Sequence, residues 1–91
     1  MKFESTIEAS IVKAVKQQGG LCLKMSAVHF IGMPDRLVIL PFKPMFFVEV
    51  KRPGQKPSKI QLHVHRKLRS LGVTVLVIDN VKDFINEISA I

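Results

Sequence analysis

Three ionisable side chains near the middle of the chain, Asp35, Glu49 and Lys51, have the types and spacing needed to hold a metal ion. In a strand, residues two apart point to the same face, so Glu49 and Lys51 are expected to project side by side. Carboxylates are preferred ligands of hard cations such as Mg²⁺ or Mn²⁺, and a neighbouring ammonium group can stabilise developing negative charge. The structural alternative is a simple ion pair between Glu49 and Lys51.

Two short apolar segments are predicted to bring these side chains together. Residues 37–40 and 45–50 are predicted strands, and the segment 41–44, with a proline at each end, is the turn between them. The resulting hairpin places Asp35, before the first strand, near Glu49, at the end of the second. Strands this apolar suit the centre of a sheet covered on both faces. Carboxylates there are costly unless they are paired, and a divalent cation would balance two of them.

Three helices and one further apolar strand are predicted around the hairpin. Ser5 or Thr6 is the expected N-cap of the first helix, a glycine pair ends it, and Ser58 is the expected N-cap of the second. The order is α-β-β-β-α-β-α, which predicts an α/β fold with a mixed central sheet flanked by helices. The predicted helices span residues 4–18, 58–70 and 81–88, the last capped by Asp79 or Asn80, and the last strand, expected to be parallel to an earlier one, spans 73–78.

Residues 21–27 alternate between apolar and polar side chains, which predicts a strand. Its odd-numbered side chains are expected to face the core. Lys24 is then expected on a polar face, in the same sheet layer as the later acids. The structural alternative for Lys24 is an ordinary exposed lysine.

None of the three histidines is assigned a metal site. His63 and His65 are two apart on a predicted helix and therefore do not face each other, whereas Gln61 and His65, four apart, share a face. His29 falls in the segment 28–33, which is interpreted as a loop, and is assigned no role.

The composition indicates one small domain with a basic surface. The chain of 91 residues carries a net charge of +7, which favours a polyanionic partner. The single cysteine allows no internal disulfide and fits a reducing, intracellular (cytoplasmic) location. No apolar run is long enough for a membrane span, and no signal peptide is recognised. An apolar content of 47% suits a folded core and also a subunit interface.

These pieces together resemble the VRR-Nuc family of the PD-(D/E)XK nucleases. The short Pro-Asp and Glu-x-Lys motifs are weak alone, but the ordered set extends over nearly the whole chain, so residues 1–91 resemble a compact, stand-alone VRR-Nuc domain. The matching residues are Glu8, Gly19-Gly20, Lys24, Gly32-x-Pro34-Asp35-Arg36-Leu37, Glu49-x-Lys51 and Gln61.

The resemblance implies a restriction-endonuclease-like core and a metal-dependent hydrolase that uses Mg²⁺ or Mn²⁺. It implies that Asp35, Glu49, the backbone carbonyl of Val50 and Glu8 hold the cation, Glu8 directly or through water. Without the resemblance, the residues favour reading Glu8 as an ordinary surface charge that helps the helix start. The implied catalytic residues are Asp35, Glu49, Lys51, Gln61 and Lys24.

The implied substrate is DNA. Arg52, Lys56, Lys59 and Arg66 are expected to contact phosphates, the alternative being a solvated basic loop. Compact members of this family resemble Holliday junction resolvases, which implies a structure-specific endonuclease that cuts branched DNA as a homodimer. The alternatives are a basic DNA-binding module without activity, a flap or single-strand nuclease, and a toxin or restriction-type nuclease.

The homodimer requires an apolar contact surface. The candidate interface residues, most of which are also expected to be core, are Phe30, Ile31, Met33, Phe42, Met45 and Phe46.

Overall fold

The computed structural model describes residues 3–26 and 30–91. The predicted order of elements and the α/β class are confirmed. Within these ranges, no helix combines the length and the apolar character needed to cross a membrane. Residues 27–29, which include His29 and the end of the predicted first strand, lie outside the described residues. The elements are α1 (Glu4–Gln17), β1 (Leu21–Lys24), β2 (Arg36–Ile39), β3 (Phe46–Val50), α2 (Lys59–Ser70), β4 (Val75–Ile78) and α3 (Val81–Ser89).

The four strands form one mixed sheet in the order β1-β2-β3-β4. Strands β1, β2 and β3 pair antiparallel with their neighbours, and the short connection between β2 and β3 confirms the predicted hairpin. Strand β4 pairs parallel with β3, because α2 carries the chain back to the starting end of the sheet. The carboxyl end of β3 is therefore adjacent to the carboxyl end of β4.

Helices α1 and α3 cover one face of the sheet, and α2 covers part of the other. Val48 and Val50 point into the core that α1 and α3 complete. Glu49, between them, points to the opposite face and contacts α2. The largest fully buried apolar side chains of the α1/α3 side are Ile11, Val15, Val38, Phe46, Val48, Val50 and Phe84.

Strand β1 shows the predicted alternation with its faces reversed. Leu21 and Leu23 are exposed, whereas Cys22 packs against the α1/α3 core. The pattern alone distinguishes two faces but does not indicate which one a helix covers. Because α2 packs against β4, at the far edge, the α2-side face of β1 is left open.

The helix ends follow the predicted caps in two of three cases. Ser58 and Gln61 form a capping box at α2, and the side chain of Asn80 accepts a hydrogen bond from the Asp83 N–H at α3. The prediction for α1 is wrong: its N-cap position is Phe3, and no side chain caps the helix there.

The apolar interface candidates divide into two groups. Phe30, Ile31, Phe42 and Met45 are exposed, contrary to the expectation that most candidates belong to the core. Phe46 is fully buried and is excluded as an interface residue. Met33 is half-buried.

Candidate metal and phosphate site

The hairpin places Asp35 against the end of β3. Arg36 pairs with Val48, so Asp35, the residue before β2, lies opposite Glu49 in the antiparallel register. The backbone N–H of Val50 donates a hydrogen bond to Asp35 Oδ2 at 2.7 Å. The N–H of Lys51 donates instead to β4. Because the N–H and C=O of one strand residue point to the same side, the Val50 carbonyl also points to the β2 side of β3, on which Asp35 lies.

The turn before Asp35 is packed tightly against α2. Gly32 has a φ of 94°, and a Cβ there would lie 2.8 Å from side-chain atoms of both Ile60 and Val64. A glycine is therefore needed for the conformation and for the close approach. Pro34 is buried next to it and fixes its own φ. This turn holds the backbone from which the Asp35 carboxylate projects.

The Glu49 carboxylate is buried and contacts three side chains. Gln61 Nε2 donates a hydrogen bond to Glu49 Oε2 at 3.1 Å, and Lys51 Nζ lies 3.6 Å from the same oxygen. His65 Nε2 lies 3.4 Å from the other oxygen, Oε1. The amide oxygen of Gln61 accepts from the Ser58 N–H at 2.9 Å, so one side chain links the cap of α2 to the site.

Burial and the nearby Asp35 carboxylate raise the pKa of Glu49 to about 8, although Lys51 acts in the opposite direction. Two carboxylates at the end of a buried strand therefore lack sufficient compensating charge from the protein alone. A divalent cation would supply that charge, and the oxygen donors of Asp35, Glu49 and the Val50 carbonyl are of the type that Mg²⁺ and Mn²⁺ prefer. These residues fit such an ion.

The other predicted ligand, Glu8, is engaged elsewhere. Its Oε2 lies 2.6 Å from Arg36 Nε, and Arg36 Nη1 also donates to the Cys22 carbonyl at 3.3 Å. Among residues 3–26 and 30–91, no three or more His, Cys, Asp or Glu side chains are grouped so that they could hold a metal ion. The structure thus does not bring Glu8 into one cluster with Asp35 and Glu49.

Lys24 is also separated from the acids. It pairs with Arg36, on the face of the sheet that carries Cys22 and Val48, whereas Glu49 projects to the α2 face. The expectation that Lys24 lies on the same face as the later acids is wrong, because that expectation assigned the two faces of β1 the wrong way round. Its supporting role in catalysis stays a prediction.

The predicted phosphate contacts are all exposed. They lie on the loop after β3 and along α2, and comprise Arg52, Lys56, Lys59 and Arg66.

One residue of the site was not assigned from the sequence. His65 is completely buried against Glu49, one helical turn after Gln61. The spacing of Gln61 and His65 on one face of α2 was visible in the sequence. What it did not reveal was that this face is turned toward β3.

No family model matches the sequence. The chain is 43% identical over 77 residues to “Putative nuclease p44” of Acyrthosiphon pisum secondary endosymbiont phage 1, covering 85% of this chain and 83% of that protein. A solved structure of a VRR_NUC domain superposes with a TM-score of 0.86 at 34% identity, covering 94% of each chain. Both matches extend over most of each chain at more than 30% identity. Together with the hairpin that carries Asp35, Glu49 and Lys51, they show that the chain belongs to the VRR-Nuc family of nucleases.

Proposed function

We propose that the protein is a divalent-metal-dependent DNA endonuclease acting on branched DNA. The observation that carries the proposal is the pairing of Asp35 with a buried Glu49 at the end of β3, with Lys51 beside them. Two neighbouring carboxylates repel each other when both are ionised, and a bound cation is the simplest group that offsets this repulsion. The family of the chain makes a phosphodiester the expected substrate.

Asp35, Glu49 and the Val50 carbonyl would hold the cation. When bound, it would neutralise charge on the phosphate and promote formation of the nucleophile from water. Glu8 is retained in this proposal as a ligand acting through water, because its carboxylate is paired with Arg36.

The Lys51 side chain is proposed to act on the reacting phosphate. Its ammonium group is only 3.6 Å from Glu49, and its side chain is partly exposed. From this position it would orient or deprotonate the water, or stabilise charge on the phosphate oxygens. Gln61 keeps the Glu49 carboxylate in place through its amide N–H. Lys24 is proposed as a supporting lysine that acts on the phosphate from the sheet edge.

The DNA backbone would be bound by the basic residues that surround the acids. They are Arg52, Lys56, Lys59 and Arg66, on the loop after β3 and on α2. Exposed lysine and arginine side chains bind phosphates independently of sequence, and the net charge of +7 supports a polyanionic substrate.

The proposed working unit is a homodimer. On the α2 side of β1 and β2, the pairs Leu21–Ile39 and Leu23–Leu37 form an apolar surface, which we call the open sheet face. Leu21 is 59% exposed and Leu23 is 43% exposed, and no charged side chain belongs to these two pairs. An apolar sheet face of this kind is stabilised by a second copy. Two sites related by a two-fold axis would match a four-way junction, where two strands must be cut.

A cleavage panel tests this function. Labelled four-way junctions, flaps, single strands and linear duplexes are incubated with the protein and Mg²⁺, Mn²⁺ or EDTA. We expect paired incisions in the junction with either cation and none with EDTA. Cutting confined to flaps or single strands would contradict the junction assignment. Metal-independent binding without any cutting would instead identify a DNA-binding module.

A further inference from the structure

His65 is the most deeply buried polar group that the proposed chemistry does not use. Its side chain is 0% exposed, and its two ring nitrogens have no hydrogen-bond partner within the described residues. A position that required only apolar packing would be filled at lower cost by leucine or phenylalanine, because buried polar atoms without partners are destabilising. The ring therefore calls for a polar explanation.

The nearest polar atom to the ring supplies that explanation. His65 Nε2 lies 3.4 Å from Glu49 Oε1, and this oxygen likewise has no hydrogen-bond partner among the described residues. The other oxygen of the carboxylate, Oε2, is bound by Gln61. Gln61 and His65 are four apart on α2, so both contacts come from one helix face, one for each carboxylate oxygen.

We propose that His65 is a positioning residue, which donates from Nε2 to Glu49 Oε1 and, with Gln61, fixes the rotation of the carboxylate for its cation. This inference rests on the proposed function, in which Glu49 is a metal ligand. The separation of 3.4 Å is long for a hydrogen bond and the two atoms are not yet aligned as donor and acceptor, so the ring or the carboxylate must reorient for the bond to form, as polar groups in active sites do when their ligands bind.

The protonation of the ring agrees with this geometry. Burial lowers the pKa of His65, and the positive charges of Arg69 and Lys51 lower it further, against the opposing effect of Asp35. A neutral imidazole has a single N–H. When Glu49 is ionised, as a cation ligand is, Nε2 faces a carboxylate acceptor, and the N–H therefore belongs on Nε2.

Cation binding in the absence of DNA separates positioning from simple packing. His65→Leu keeps an apolar side chain in the pocket but removes the donor, and His65→Gln restores a donor. We expect calorimetric titration with Mn²⁺ to give a dissociation constant about ten-fold to a hundred-fold weaker for His65→Leu, the usual effect of losing a partner that orients a ligand, and recovery of most of that loss in His65→Gln. Thermal unfolding in EDTA checks that each variant is folded.

The matched control is His63→Leu. His63 lies on the same helix but is exposed, so its replacement changes the helix composition equally without touching Glu49. A folded His65→Leu variant that binds Mn²⁺ as tightly as His63→Leu and the unsubstituted protein overturns the inference.

A measurement on the unsubstituted protein decides the case if the variants do not fold. Nitrogen-15 spectra of labelled histidine report which ring nitrogen carries the proton. The spectra are recorded above about pH 8, where Glu49 is ionised in the folded protein. A neutral His65 ring protonated at Nε2 then supports the inference, and one protonated at Nδ1 overturns it. If the unsubstituted protein neither binds Mn²⁺ nor cuts DNA with it, the proposed function fails, and the spectra still decide whether His65 holds Glu49.

Discussion

Asp35 accepts a hydrogen bond at 2.7 Å from the backbone N–H of Val50, fifteen positions further along the chain. This bond continues the contact between β2 and β3 beyond Arg36 and Val48, the last residues that pair through their backbones. It fixes the Asp35 carboxylate next to the backbone of Val50, whose carbonyl is another of the proposed cation ligands.

Substitutions at Asp35 separate the contribution of its hydrogen bond with the Val50 N–H from the contribution of its negative charge. Both Asp35→Asn and Asp35→Ala lack the charge, but the asparagine oxygen still accepts from Val50. We therefore expect both to stop cation-dependent cleavage, and Asp35→Ala alone to lose a further 1–3 kcal/mol, roughly, of unfolding free energy. Urea unfolding in EDTA measures the difference. Equal stabilities for the two variants would mean that the bond to Val50 contributes nothing.

The raised pKa of Glu49 predicts a specific pH dependence of stability. Between pH 4.5, the ordinary pKa of a glutamate, and about pH 8, the unfolded chain ionises this carboxyl while the folded chain keeps it protonated. The unfolding free energy should therefore fall as the pH rises, with a limiting slope of about 1.4 kcal/mol per pH unit, and level off above the folded pKa.

Urea unfolding in EDTA from about pH 6.5 to about pH 9 tests this, with Glu49→Gln as the control. The amide does not titrate, so its profile should lack the fall. Parallel profiles for the two proteins would show that Glu49 ionises normally. Adding Mn²⁺ should restore stability most strongly at the alkaline end, since the cation binds the ionised carboxylate.

The strand hairpin and helix α2 could be predicted from the sequence because their signals are local. Prolines at both ends of the turn, and a serine followed three positions later by Gln61, specify these elements without distant contacts. The position of Asp35 beside Glu49 followed directly from the hairpin.

The relation of each strand to its covering helix could not be predicted in the same way. Leu21 and Leu23 form an apolar stripe, yet their side of the sheet is open because α2 packs at the opposite edge. The ion pair between Glu8 and Arg36 is also a tertiary contact, because the two residues are 28 positions apart, and no local sequence pattern predicts it.

The basic surface predicts salt-dependent DNA binding. Each phosphate contact contributes roughly 0.9 to the slope of log affinity against log salt concentration on duplex DNA. In a Glu49→Gln background, which prevents cutting, Arg66→Ala should reduce the magnitude of this slope by roughly 0.9, the contribution of one phosphate contact. Lys16→Ala, an exposed lysine in the last turn of α1, just before β1 begins at the opposite end of the sheet, should leave it unchanged. Equal slopes for both variants would remove Arg66 from the interface.

The open sheet face predicts how dimerisation can be broken. Leu23→Glu places a charge on this face, where the side chain is already exposed in one chain, so the fold should persist while the dimer dissociates. Light scattering should change from about twice the chain mass of 10.2 kDa to one chain mass. Leu71→Glu, at an exposed apolar residue after α2, is the matched control and should remain dimeric. A monomeric unsubstituted protein would contradict the homodimer.

The most direct test of the central claim is the single-turnover rate of DNA cleavage with Mn²⁺, measured for the unsubstituted protein, Glu49→Ala and Lys51→Ala, all verified as folded. We predict that EDTA stops cleavage, that Glu49→Ala loses it together with Mn²⁺ binding, and that Lys51→Ala still binds Mn²⁺ but cuts at least about a hundred-fold more slowly. Undiminished cleavage in EDTA, or by Glu49→Ala, would contradict the account.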